Sequence, residues 1–199
     1  MEGSVSPKRN KLLALLSEDA YGQLQPHLEF CHFPAGTVLH DTAHALRHAT
    51  FPVSGLVGRV GATTDGKSTE LTVCGLDGMI GVSILLGGRP LSSRALVLSE
   101  MAGFKVPAPV ILSVWRHSEA FQTLMLRYVQ VLLQEVMQIA LCNKHHTVEQ
   151  QLSRWLLMAV DRLGEEKMHV TQSVISHMLG VRREGVTEAA GKLQSHGIL

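Results

Sequence analysis

The sequence predicts an α+β chain in three parts: an N-terminal β jelly roll or barrel, a long central helix, and a C-terminal helix-turn-helix. Three features predict it. Between Leu28 and about Val106, short runs rich in Val, Leu, Thr and Phe alternate with Gly, Pro, Asp and Ser. From Ser118 no Gly or Pro interrupts the chain until Gly164, and then two short amphipathic segments flank Gly180.

The first residues, with Leu12, Leu13, Leu15, Leu16 and Leu24, suggest one or two short helices, the second capped by Ser17. In the β region, Phe30–Phe33 runs into a Pro34-Ala35-Gly36 turn and on to Thr37–His40. Asp65-Gly66 between Val57–Thr63 and Ser68–Cys74 is a hairpin signal, and Arg94–Met101 and Gly103–Val106 read as two further strands. Turns at this spacing suit a closed or double-sheet unit.

From Ser118-Glu119 the period becomes helical. Phe121, Leu124, Tyr128, Val131 and Glu135 advance in steps of three and four, and Met125, Leu132 and Ile139 widen the stripe. So apolar a helix needs a partner surface, which a second copy of the chain would supply. A break near Cys142–Thr147 leads to another helix, where Thr147 and Gln150 match a capping box. Its apolar face includes Leu152, Trp155, Ala159 and Leu163, and Gly164 ends it. Three units follow: residues 1–116 as sensor barrel, 117–143 as dimerisation helix, and 144–199 as helix-turn-helix domain.

Composition narrows the function classes. The chain has 199 residues, 45% of them apolar, and a net charge of only +1. After Gln150 six Lys or Arg face five acids, so any affinity for a polyanion must come from local placement of cations. No run of about 18 apolar residues marks a transmembrane helix, and Ser17, Glu18 and Asp19 break the N-terminal apolar run of a would-be signal peptide. No membrane partner is expected. Cys31, Cys74 and Cys142 are far apart and odd in number, which suits a reducing, cytoplasmic setting.

The most specific stretch runs from Thr171 to Leu199. Thr171 is a good N-cap for a short helix, and Gly180 stands where a left-handed backbone swings the chain. A second helix then begins around Val181–Arg182, as in helix-turn-helix DNA binders. Its leading turn carries Arg182, Arg183 and Glu184, with Thr187 and Glu188 one turn on. Arginine can pair bidentately with guanine and glutamate can accept from cytosine, whereas Thr171 and Lys192 are placed for phosphates. As a purely structural feature, the same helix end would be a solvated Arg–Glu pair of slight worth.

At these residues the chain resembles the CRP/FNR superfamily of bacterial regulators, most specifically in TQ..I...LG.RRE.V....GKL, and the likeness extends over nearly the whole chain. The stretch Cys142 to Leu157 is similar to a subgroup without an evident cyclic-nucleotide site. The resemblance implies a cyclic-nucleotide-binding-like jelly roll, a homodimer through the central helix, and a winged-helix type domain on a palindromic DNA operator. It implies base contacts at Arg183, Glu184 and Glu188. RNA polymerase is a further partner of that reading, and an unidentified small-molecule effector its signal. A dimerisation or sensor-only protein that does not bind DNA is the alternative.

Two departures from the family pattern matter. Cyclic-nucleotide binders use a Gly-Glu pair for the ribose and an Arg-Ser or Arg-Thr pair for the phosphate. Here Gly81 is followed by Val82, while Ser92-Ser93 precede Arg94, so the cassette is degenerate and cyclic nucleotide is not expected as a ligand. Secondly, Leu199 follows directly on the recognition helix, where family members continue into a β-hairpin wing. The expectation is a chain truncated before that wing.

Other constellations are weaker. Cys142-x2-His145-His146 and His40, His44 and His48 lack completing ligands, so no metal site is assigned. An iron–sulfur cluster would need an N-terminal cysteine cluster, which the sequence lacks. Gly87–Pro90 lacks the Lys-Ser/Thr of a phosphate loop, and no hydrolase or zinc-protease motif occurs, so an enzyme is not expected. Trp115 and Trp155 read as core.

Overall fold

The computed structural model describes residues 5–40, 46–62, 68–87, 93–165 and 167–199. Asn10 anchors its N-terminal end. Its side-chain oxygen accepts from Leu12 N and Leu13 N at 3.1 Å, capping α1 (Lys11–Ala14). Its amide donates to Pro52 O and Gly78 O at 2.9 Å, so a fully buried polar side chain has every bond it needs. Ser17 caps α2 (Glu18–Leu24) as expected.

Among the described residues seven strands follow: β1 (Glu29–Phe33), β2 (Val38–His40), β3 (His48–Pro52), β4 (Val57–Ala62), β5 (Ser68–Cys74), β6 (Ser93–Val97) and β7 (Met101–Pro107). They form two antiparallel sheets, β1-β7-β3 and β2-β6-β4-β5. Between the sheets lie Val57, Cys74, Ile80, Ala95, Val97 and Met101. The outer face of the three-stranded sheet, with Ala49, Phe51 and Val106, is covered by α1, α2, α3 (Ala108–His117) and the start of α4 (Glu119–His145). The β sandwich is thus the expected double-sheet unit.

Two boundaries differ from the sequence reading. The break before β7 falls at Leu98–Glu100, because the chain folds back there: Leu98 N donates to Leu56 O and Ser99 Oγ accepts from Leu56 N. Strand β3 is an addition to the strands that the sequence predicts. It is an edge strand ending in Pro52, which the edge tolerates and a central strand would not. The Asp65-Gly66 turn lies outside the described residues.

The β4–β5 ladder contains a bulge that later matters. Arg59 pairs with Thr72, but the next residue, Val60, pairs with Glu70, so Leu71 is extra. The slip flips the alternation. Arg59, Thr72 and Cys74 face the sandwich interior, whereas Glu70 joins Val60 and Val73 on the outer side.

Ser118 caps α4, its Oγ accepting from Phe121 N at 3.2 Å. The Thr147–Gln150 capping box opens α5 (Val148–Leu163), and Gly164 ends it in the left-handed region. The stripe assigned to dimerisation requires correction. Phe121 is buried against Trp115, Leu124 packs on the same core, and Tyr128 exchanges hydrogen bonds with Met79 N and O. Glu135 is ion-paired to Arg162 of α5. Of that set only Val131 is exposed. The helix is apolar on both sides, and periodicity cannot say which side meets its own barrel. The side left open carries Leu126, Leu133, Met137 and Leu141, which are 55%, 59%, 59% and 57% exposed. Although α4 contains no unbroken apolar run, it is long and apolar enough on average to cross a membrane, the one such helix among the described residues.

Candidate nucleic-acid interface

Helix α5 begins a three-helix unit that is completed by α6 (Gln172–Leu179) and α7 (Arg183–Ser195). Thr171 caps α6, its Oγ1 accepting from Val174 N at 3.2 Å. Gly180 closes α6 with φ +66°, a conformation that any side chain would strain. Three residues later α7 starts. Ile175, Met178 and Leu179 of α6 pack with Val186, Ala189 and Leu193 of α7 and with Leu152 and Trp155 of α5. That shared core fixes the angle between the two short helices.

The polar residues singled out in the sequence emerge together on the opposite side. Arg182 occupies the N-cap position of α7, Arg183 and Glu184 form its first turn, and all three are exposed. Thr187 is held by its hydroxyl, which donates to Gln172 Oε1 at 2.8 Å with Arg183 O as a second acceptor at 3.1 Å. Gln172 escaped the sequence reading. It bridges 15 residues, and nothing in its local pattern marks it. Glu188 and Lys192 pair with each other at 3.0 Å, one turn apart and both exposed. That bond raises the Lys192 pKa, but on so exposed a pair it adds little stability. Among the described residues the two arginines at the leading end of α7 have no ion-pair partner, while the cation and anion further along neutralise each other.

The degenerate effector cassette does not converge. Gly81 and Val82 open a short 3₁₀ turn, and Val82 is apolar core. Ser93 is buried with its hydroxyl unpartnered, and Arg94 lies on the outside of β6, in a groove with Ser173 and His177 of α6. Ser92 lies outside the described residues. Inside the sandwich, Arg59 and Tyr128 leave a cavity of only about 20 Å³. Burial lowers the Arg59 pKa, partly offset by Tyr128 and Cys74, and pushes the Cys74 thiol up to about 12. A larger hollow of about 750 Å³ opens at the other end, where Phe33, Leu39 and Ile80 meet Arg47, His48 and Lys105. Among the described residues no group of three His, Cys, Asp or Glu is placed to hold a metal; His44 is not among them.

The helical unit sits directly on the barrel. Val60 and Val73 of the four-stranded sheet, with Leu56 and Leu98 just beyond its strand ends, share one buried core with α5, α6 and α7. Arg162 clamps the seam, with bonds of 2.9 and 2.8 Å to Glu135 and 3.2 Å to Asp77. The contact is close enough that a Cβ on Gly75 would lie 2.5 Å from Arg162 O.

Comparison with known proteins bears on this arrangement. Residues 150–199 match the Crp-like helix-turn-helix domain. No curated protein matches the chain in sequence. Among solved structures, a chain assigned to the Crp/Fnr family of transcriptional regulators from Eubacterium rectale superposes with a TM-score of 0.74 at 16% identity, over 96% of this chain and 89% of that one. FixK2 from Bradyrhizobium japonicum gives 0.74 at 15% identity, over 86% and 87%. CLP, described as a c-di-GMP responsive global regulator of Xanthomonas campestris, gives 0.70 at 14% identity, over 91% and 93%. The chain therefore carries a Crp-like helix-turn-helix domain on the fold of CRP/FNR-type transcription regulators.

Proposed function

We propose that this chain is a cytoplasmic, homodimeric regulator that binds a palindromic DNA operator and receives its signal through the β sandwich. The observation that carries the reading is the leading end of α7. Arg182, Arg183 and Glu184 are exposed there immediately after the Gly180 turn, the end by which recognition helices enter a major groove. Arg183 and Glu184 read base edges. Thr171 and Lys192 meet phosphates, Lys192 exchanging its bond to Glu188 for one to the backbone. Arg182, Thr187 and Glu188 flank them.

A second copy of the chain covers Leu126, Leu133, Met137 and Leu141. Their spacing of seven, four and four residues draws one apolar line along a helix about 40 Å long. The opposite side of α4 carries the Glu135–Arg162 ion pair and packs on protein, which favours a soluble helix pair over a bilayer. RNA polymerase is the downstream partner of such a regulator, and no catalytic role is assigned.

A mobility-shift assay on the gene's own upstream region tests the reading. Arg183→Ala is expected to weaken binding by about 1–3 kcal/mol and to relax one base position. A purified dimer that ignores every duplex offered would overturn it.

The effector is not a cyclic nucleotide in this reading. The Gly-Glu and Arg-Ser or Arg-Thr pairs that would hold its ribose and phosphate are missing, with Val82 in the core and Arg94 outside β6, and Arg59 and Tyr128 fill the inner cavity. Calorimetric titration with cyclic AMP or cyclic GMP should give no saturable heat, and micromolar affinity for either contradicts the claim. The wider hollow beside Arg47, His48 and Lys105 is the entry for an anionic effector.

A further inference from the structure

Within the apolar core that the sandwich shares with the helix-turn-helix unit lies one carboxyl group with no cation bonded to it. Glu70 is 3% exposed, and it lies there only because the bulge at Leu71 turns it outward beside Val60. One of its oxygens accepts from the indole Nε1–H of Trp155, a fully buried residue of α5. Its other oxygen is buried with no hydrogen-bond partner. Such a group is poorly served as an anion, since an ionised carboxylate out of water needs several donors or a bound cation.

The neighbouring charges do not supply one. Arg162 of α5 is committed to Glu135 and Asp77. Arg154 of α5 turns toward Met158 Sδ at 4.0 Å, and its Nε is itself buried without a partner. Glu135 of α4 adds a repelling charge, β4 presents only Val60, and His177 of α6 is exposed along the same seam. We propose that Glu70 is a proton-operated latch: protonated, it lets the helix-turn-helix unit seat on the sheet, and ionised, it drives the unit off.

The energetics follow from linkage. Burial pushes the seated Glu70 up to about 7, while the bond from Trp155 and the charges of Arg154 and Arg162 offset part of that rise. Unseated, the group faces water and returns toward its ordinary 4.5. Because the seated value is the higher one, seating is favoured fully below 4.5 and loses ground as pH rises to about 7. Across that window the seated-to-free ratio falls on the order of 10²-fold, and above it no further change is expected. Its regulatory consequence rests on the DNA-binding reading, whereas the latch itself is testable without DNA.

The experiment compares the full chain with Glu70→Gln, whose amide oxygen still accepts from Trp155 but carries no charge. Tryptophan emission, acrylamide quenching and solution scattering are followed from pH 5 to 8. Trp115 packs on Phe121 in a separate core, whereas Trp155 is bonded to Glu70, so a difference between the two proteins reports Trp155. The unaltered chain should shift to the red, become more quenchable and expand as pH rises toward about 7, with no further change above it. Glu70→Gln should stay seated throughout. Glu70→Leu, which removes the titrating group and leaves the Trp155 N–H without its acceptor, should likewise lose the pH response and serves if the amide variant fails to fold. The latch is overturned if the charged and uncharged chains titrate alike, or if the unaltered chain does not respond to pH.

Discussion

A chain carrying Leu133→Asp and Met137→Asp is expected to sediment as a monomer and to lose about 10²–10⁴-fold in affinity for duplex DNA. Both side chains are more than half exposed in the single chain, so replacing them opens no cavity and the monomer should fold. In a helix pair related by a two-fold axis each residue meets the partner's copy of the same stripe. Two aspartates per chain would then place four unpaired carboxylates in a desolvated seam, which the association energy does not offset. Loss of DNA affinity follows because each recognition helix would bind its half-site alone. Sedimentation equilibrium and the mobility-shift assay measure the two effects separately. A dimer that survives both substitutions would place the interface elsewhere. Substituting Phe121 instead should unfold the chain, since that residue lies in the core beside Trp115.

The contrast between Phe121 and the pair Leu133 and Met137 shows where the sequence was informative. Caps were legible because they are local: Ser17, Ser118, Thr147 and Thr171 each accept from a backbone N–H three residues on. Gly180 was legible because few residues tolerate its backbone angle. The leading end of α7 was legible too, since a turn of known length fixes which residues open the next helix. The free face of α4 was not. Leu124 and Leu126 have the same chemistry, and only the barrel, built some 50 residues earlier, decides which of them is covered. Glu70 was further out of reach. Its partner lies 85 positions away, and its orientation depends on a bulge that strand alternation hides. Gln172, which pins Thr187, belongs to the same class of long-range polar contacts.

Arg162→Ala is expected to lower stability by about 3–5 kcal/mol, the range found when one partner of a buried ion pair is removed. The guanidinium is 12% exposed and Glu135 is 11% exposed, so the carboxylate left behind would be desolvated with no cation beside it. Burial alone would depress the Arg162 pKa, but the bonds and charges of Glu135 and then Asp77 outweigh it and hold the value above the usual range. Asp77, at 40% exposed, can turn to water and should matter less. For a chain of this size the loss corresponds to a fall of roughly 6–20 °C in Tm, readable by calorimetry. Arg162→Lys should fall in between, since one ammonium cannot make the forked contact to Glu135. Arg162→Met combined with Glu135→Leu should recover most of the loss, because an apolar pair needs no compensation. A loss below about 1 kcal/mol in Arg162→Ala would mean that the pair is solvated and the seam open. The same variant bears on the junction itself. The Arg162 backbone carbonyl still accepts from Leu76 N at 3.0 Å, so α5 keeps one tether to the sheet when its side-chain clamp is gone. Loosening should therefore begin at the α4 side of α5, and amide exchange should rise first around Glu135 and the end of α5.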